Sequence, residues 1–139
     1  MFPPAFGKFE MKQIVLATCA TLVFAVPSHA GSSRFDRSLS HLDPTTRLEQ
    51  ICAVETMARV NKDDNPYRPD RAVIYALSQP KVRGNTARGD GGAFRSKGKW
   101  YQYSFTCETT PDHMRVSGFT YKIGKAIPES MWEKYGLYR

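Results

Sequence analysis

The sequence predicts an α+β domain: an antiparallel sheet of three to four strands packed against an N-terminal helix, with a short C-terminal helix and one disulfide. Apolar residues recur at helical spacing through Leu48, Ile51, Cys52, Val54 and Ala58, with Glu49, Gln50 and Thr56 mostly on the other side. Tyr101, Tyr103, Phe105 and Cys107 alternate with Gln102, Ser104, Thr106 and Glu108, the period-two pattern of a half-buried antiparallel strand. Each of these elements carries a cysteine on its apolar side, so a single bond could tie helix to sheet.

The chain begins with a segment that predicts its own removal. Residues 1–10 hold two prolines and one basic residue and read as an upstream extension, so either Met1 or Met11 can be the start. Met11-Lys12 precedes an uncharged run, Ile14 to Val26, and then Pro27-Ser28-His29-Ala30 supplies small residues at −3 and −1. That is the layout of a secretory signal over 1–30. The apolar run is 13 residues, whereas a helix spanning the hydrocarbon core needs about 20, so no transmembrane segment is expected after processing. Cys19 sits inside the apolar run, which continues past it. It reads as a cysteine discarded with the leader and not as a lipid-attachment site. The expected location is periplasmic or secreted.

The leader contains two lysines and one glutamate, so its loss lowers the formal charge from +7 to +6. Such a charge suits anionic neighbours such as lipid headgroups, acidic glycans or nucleic acid, although a basic periplasmic protein need not bind any of them. The expected partner is an anionic glycan, a lipid headgroup or an envelope protein. No specific nucleic acid is expected. With Cys19 gone, Cys52 and Cys107 remain, an even number for an oxidising compartment. A bridge between them closes a loop of about 55 residues, which the chain-entropy relation values at roughly 4 kcal/mol. A metal pair is the poorer reading, because no histidine or further cysteine lies at ligand spacing from either.

Gly31 to Ser40 is short of apolar residues, so 31–41 reads as a flexible leader to a single domain over 42–139. Asp43 can cap a helix and Pro44 fits its first turn, which needs no donor there. The helix is expected over 43–61, ending at Asn61 and the polar stretch Lys62-Asp63-Asp64-Asn65-Pro66. Residues 71–77 can be read two ways. Asp70 could cap a short helix, and Val73, Ile74 and Tyr75 suit a strand; the helix is the favoured reading. Lys81–Thr86 reads as a short edge strand, with Gly84-Asn85 and Gly89-Asp90-Gly91-Gly92 as loops.

Lys97-Gly98 predicts a two-residue hairpin turn that pairs Ser96 with Lys99, Arg95 with Trp100 and Phe94 with Tyr101. Thr110-Pro111-Asp112-His113 predicts the next turn, with Glu108 opposite Arg115 and Cys107 opposite Val116. The apolar phase then shifts to Phe119, Tyr121 and Ile123, which a bulge at Ser117-Gly118 would repair. Phe105 would then meet Phe119, and Tyr103 would meet Tyr121. Ile127-Pro128 opens a short helix, Glu129–Tyr135, that ends before Gly136, with Trp132 packing it onto the domain.

Several of these stretches resemble one family. They are Leu42-Asp43-Pro44 with Arg47-Leu48-Glu49-Gln50-Ile51-Cys52, Arg68-Pro69-Asp70-Arg71, Ala93 to Tyr101, Phe105-Thr106-Cys107, Pro111-Asp112-His113-Met114, and Ile127-Pro128 with Trp132. The family is the secreted proteins of rhizobial-type alphaproteobacteria catalogued as domain of unknown function family 930. The resemblance covers nearly the whole chain after the leader. It implies one domain in an envelope or secreted location; it implies no activity and transfers no catalytic residue.

The residues themselves point away from catalysis. A nucleophile needs an oriented base beside it, and the histidines after the leader are His41 and His113. Asp112-His113 looks like a dyad, but neighbours in a tight turn point apart and Asp there commonly bonds its own backbone. Metal-ligand spacings are missing, and Gly89-Asp90-Gly91-Gly92 lacks the Gly-Lys-Ser/Thr ending of a phosphate loop. No cofactor is expected.

Two surfaces remain. Arg68 and Arg71 flank Pro69-Asp70 and could hold a carboxylate, with an internal ion pair to Asp70 or Glu55 as the plainer reading. On the sheet face turned from the core, the register gathers Arg95, Trp100, Gln102, Thr120 and Lys122 as candidate ligand-binding residues. A tryptophan among cations can stack on a sugar or base. Equally, Arg95 can simply lie over Trp100, or the C-terminal helix can cover it, and that is the commoner outcome. The expectation is a non-enzymatic envelope binding module. The alternatives are a periplasmic enzyme with Asp112 and His113 or Arg68 and Asp70 in a cleft, and a purely structural or inhibitory module.

Overall fold

A computed structural model describes the chain from Ala30 to Arg139. The expected signal, the choice between Met1 and Met11, and Cys19 lie outside the described residues. Helix α1 spans Ala30–Ser40 and α2 spans Pro44–Lys62. The Asp43 carboxylate accepts from the amides of Thr45 and Thr46 at 3.1 Å each and from the Thr46 hydroxyl at 2.6 Å. This caps α2 as its sequence predicts. The hydroxyl contact is the main reason the Asp43 carboxyl titrates below its ordinary range.

Of residues 31–41, expected as a flexible leader, 31–40 are helical instead. Phe35 and Leu39, four apart, turn one stripe of α1 into the main core, where Leu39 is buried. The carbonyls released at the end of α1 find a donor in the first turns of α2. The Arg47 guanidinium reaches the oxygens of Leu39 (3.0 Å), Ser40 (3.3 Å), Leu42 (2.8 Å) and Asp112 (2.9 Å). A local reading could not see that partner, and without it the segment looks too polar to hold.

Strands β1 (Pro69–Val73), β2 (Lys81–Arg83), β3 (Thr86–Ser96), β4 (Lys99–Thr109) and β5 (Val116–Ala126) form one antiparallel sheet in the order β1-β3-β4-β5. β2 also lies on β3, beside the Thr86 end, while β1 lies beside the Ser96 end. The sheet therefore has five strands where three to four were expected. An added edge comes from the segment 71–77, expected as a helix, which is strand up to Val73 and turn beyond it. Arg71, Ala72 and Val73 pair with Arg95, Phe94 and Ala93, which delivers Ile74 to the core. A helix there would forfeit these ladder bonds.

The other correction concerns Gly89-Asp90-Gly91-Gly92, which lies within β3 and not in a loop. Pairing with β4 shifts between Gly89 and Gly92, a bulge of the kind strand glycines mark. A Cβ on Gly92 would stand 2.6 Å from the Tyr103 ring, and one on Gly91 would stand 2.2 Å from the Ser78 hydroxyl. These glycines permit close approach of other groups to the strand; they do not interrupt it.

The β3–β4 hairpin has the expected register, with Phe94 opposite Tyr101 and Arg95 opposite Trp100. Lys97 and Gly98 both have positive φ, 51° and 75°, as a type I′ turn requires. In β4–β5 the expected bulge is present. Thr109 faces Val116 and Glu108 faces Gly118, leaving Ser117 as the extra residue. The pairs beyond it differ from expectation: Phe105 faces Tyr121 and Tyr103 faces Ile123. The connection is wider than a four-residue turn, because Thr110 and Arg115 close it with a 2.9 Å backbone bond.

Tyr103, Phe105, Cys107 and Phe119 on one sheet face meet Leu48, Ile51, Cys52 and Val60 of α2, and Cys52–Cys107 form the disulfide within this core. The buried stripe of α2 runs through Leu48, Cys52, Thr56 and Val60. Thr56 was expected on the opposite side. Val54, expected inside, is 36% exposed. Thr56 is tolerated because its hydroxyl contacts the Cys52 carbonyl at 2.9 Å and the Tyr103 hydroxyl at 3.0 Å. Burial pushes the Tyr103 phenol well above its ordinary pKa, with the Thr56 bond opposing. Thr56→Val should therefore cost about 1–3 kcal/mol by leaving a buried hydroxyl unpaired. Adding Tyr103→Phe should recover most of that loss, and urea denaturation of the single and double variants measures it.

The C-terminal segment is not the single helix expected. Two 3-10 turns, Glu129–Met131 and Glu133–Tyr135, flank Trp132. Their tighter winding lets Trp132 and Leu137 both reach the sheet, where they bury with Ala93, Trp100 and Ile127 in a second, smaller core. The Trp132 indole donates to the Ile127 carbonyl at 2.9 Å.

Candidate functional site: the open half of the outer sheet face

The two cores leave one part of the sheet uncovered. Helix α2 covers the inner face, and the C-terminal segment covers the outer face around Trp100. The outer face beside β2 stays open as a shallow basin of about 550 Å³, lined chiefly by Gln79, Lys81, Arg88, Ser104, Thr106, Thr120 and Lys122.

The register explains why these side chains share a surface. Lys81 faces Arg88, Arg88 faces Thr106, and Thr106 faces Thr120, a continuous row across β2, β3, β4 and β5. Strand alternation turns this row away from Cys107 and Ala87, which are buried in the core. Two residues along the strands, Ser104 faces Lys122 and extends the same surface. The basin thus holds three cations against one carboxylate, Asp90. Asp90 is already engaged, with its carboxylate accepting from the Ser78 hydroxyl at 3.1 Å. Among the described residues, ion pairs are formed by Arg59, Arg95, Arg115 and Arg139, and Lys81, Arg88 and Lys122 take no part in them.

The structure divides the five candidate ligand residues. Gln102, Thr120 and Lys122 stay on the open side; the Gln102 amide donates to the Asp90 carbonyl at 2.9 Å. Arg95 and Trp100 lie elsewhere. Trp100 is only 2% exposed, and its indole donates to the Tyr138 carbonyl at 2.9 Å. The Arg95 guanidinium lies over that indole, 6.0 Å from its centroid. It also grips Asp70 with two bonds of 2.9 and 2.7 Å. Those bonds are the main reason the Asp70 carboxyl titrates below its usual range. Trp100 is thus a packing residue beneath the C-terminal segment, and Asp70 is paired with Arg95, where Arg68 or Arg71 was expected.

The other candidates are spent on turns. Asp112 accepts from the Thr110 hydroxyl at 2.6 Å and from the Met114 amide at 3.1 Å, and these contacts lower its pKa. The His113 ring sits 2.9 Å from the Pro44 carbonyl. Arg68 bonds the carbonyls of Asn65 and Tyr67. Among the described residues no group of three His, Cys, Asp or Glu side chains gathers as a metal site, and no helix is long and apolar enough to cross a membrane.

The profile of the family described as Domain of Unknown Function (DUF930) matches residues 39–137. The chain belongs to this family. No curated protein matches it. No solved structure matches it either. The DUF930 match runs from Leu39, the buried anchor of α1, to Leu137, the buried anchor of the C-terminal segment. It therefore takes in both cores, the disulfide and the open basin.

Sequence reasoning missed Lys81 and Arg88 as parts of the DUF930 surface. Alternation in Lys81-Val82-Arg83 and Ala87-Arg88 was the available signal. Reading Gly89 to Gly92 as a loop cut β3 short and hid their alignment with Thr106 and Thr120.

Proposed function

We propose that this DUF930 protein is an exported, non-enzymatic binding module of the cell envelope that holds an anionic component in the basin of its outer sheet face. The observation that carries this reading is the set Lys81, Arg88 and Lys122 on one polar surface, without ion pairs among the described residues. Three cations gathered against the single Asp90 carboxylate leave an excess of like charge that repels itself, and an incoming anion relieves that repulsion. Export is supported by the signal pattern over 1–30 and by the Cys52–Cys107 bond, which suits an oxidising compartment. The polar groups of Asp112, His113, Arg68 and Asp70 are taken up in turns and ion pairs, which favours binding over catalysis.

The Arg88→Glu/Lys122→Glu variant tests the proposal. Both positions are exposed, so folding should be unaffected. Binding to a polyanionic envelope extract should weaken about tenfold or more, since each lost contact contributes up to about 1 kcal/mol and the reversed charges add repulsion. The parent's affinity should also fall as salt screens the surface. Binding of the variant equal to that of the parent would remove the basin from consideration.

A further inference from the structure

We infer that the anionic component is a linear acidic polysaccharide laid across the strands, a reading that rests on the basin being the binding site. The placement of charge is the first reason. Lys81 and Arg88 are rung neighbours on β2 and β3, while Lys122 stands on β5. Adjacent strands are about 4.8 Å apart and residues rise about 3.4 Å along a strand, so two strand spacings and a two-residue offset put Arg88 and Lys122 about 12 Å apart in the sheet. Cations so spread do not converge on a compact anion such as free phosphate. They suit a ligand whose charges are themselves spaced along a chain.

The second reason is what lies between the cations. Ser104, Thr106 and Thr120 hold the intervening positions on β4 and β5. A hydroxyl both donates and accepts, which matches a sugar ring bearing hydroxyls as well as a carboxylate. The row Lys81–Arg88–Thr106–Thr120 places a polar group on each of β2, β3, β4 and β5 and spans about 14 Å at the usual rung spacing, room for several sugar units in line. Asp90 stands at the margin of the basin and repels a carboxylate, so it would favour one placement of the chain over others.

The same surface argues against other polyanions. Single-stranded nucleic acid binds through exposed aromatic platforms, and here Trp100 is buried. Of the two aromatics that border the basin, Phe105 is buried in the main core, and Tyr121 packs against that core with its hydroxyl donated to Asp63. A bilayer is held by apolar side chains inserted beside the cations. Val82, 49% exposed, is the large apolar residue of β2, and strand alternation puts it on the side opposite Lys81 and Arg83.

Calorimetry with the galacturonate dimer, tetramer and hexamer tests the inference, with neutral dextran, anionic phosphatidylglycerol vesicles and single-stranded DNA as comparators. Affinity should rise by about tenfold or more from dimer to tetramer, as further units reach further strands, and change little to the hexamer. Thr106→Val/Thr120→Val keeps the charge and suits a strand; it should weaken tetramer binding several-fold. Binding of vesicles or DNA that depends on Arg88 and Lys122, with none to the uronates, would overturn the polysaccharide and leave the basin standing. Uronate binding indifferent to both length and the threonines would overturn the cross-strand placement. If no anionic probe depends on Arg88 and Lys122, both readings fall together.

Discussion

Replacing Cys52 and Cys107 together by alanine is expected to lower stability by about 4 kcal/mol, the entropy of a loop of about 55 residues released in the unfolded chain. The bond joins α2 to β4 at positions that are fully buried, 55 residues apart in sequence. The small cavities left by the two sulfurs act in the same direction. Domains of this size have about 5–15 kcal/mol in hand, so a large share of the margin would go. At about 4–8 °C per kcal/mol, the melting temperature should fall by at least about 15 °C. Guanidinium denaturation of the parent, the reduced parent and the double variant would measure this, and the last two should nearly coincide. A loss under about 1 kcal/mol would mean that the bond is not the clasp between helix and sheet.

Trp100→Ala should have the next largest effect, about 3–5 kcal/mol. The second core is small, holding Ala93, Trp100, Ile127, Trp132 and Leu137, and Trp100 is its largest contribution from the sheet. Its removal takes the floor from beneath the C-terminal segment and strips the Tyr138 carbonyl of its indole donor. Trp100→Phe keeps most of the packing and loses that hydrogen bond, so it should cost roughly 1 kcal/mol from the bond together with a modest packing loss. Proteolysis should clip the alanine variant near residues 127–139 faster than the parent. At temperatures where the variant stays folded, its affinity for anionic ligands should match the parent's. Unchanged stability with abolished ligand binding would instead make Trp100 a stacking platform, and the assignment of the basin would fail.

These two predictions rest on features of unequal legibility. The disulfide could be read from cysteine count and from the apolar side on which each cysteine falls. The β3–β4 hairpin could be read because Lys97-Gly98 and the alternation on either side agree. Cover of Trp100 by Arg95 and the C-terminal segment was the plainer of two readings, but alternation tells only which face of a strand a side chain occupies, so tertiary packing had to choose between them. The same gap explains α1, whose end is secured by Arg47 from the next helix, and Thr56, whose burial depends on the Tyr103 hydroxyl. It also explains β1, where Ala72 and Val73 lay in a segment that suited two conformations until a strand partner decided between them.

The candidate site followed the same division. Thr120, Lys122 and Gln102 were legible as an outward set on β4 and β5. Lys81 and Arg88 join them only through pairing of β2 with β3 and of β3 with β4. The chain alone determined its class, its clasp, its central hairpin and its excess of positive charge, since each follows from local periodicity, turn chemistry or composition. Tertiary structure decided which half of the outer face is covered and which is open. That choice depends on contacts between residues far apart in sequence, whose free energies no local pattern encodes.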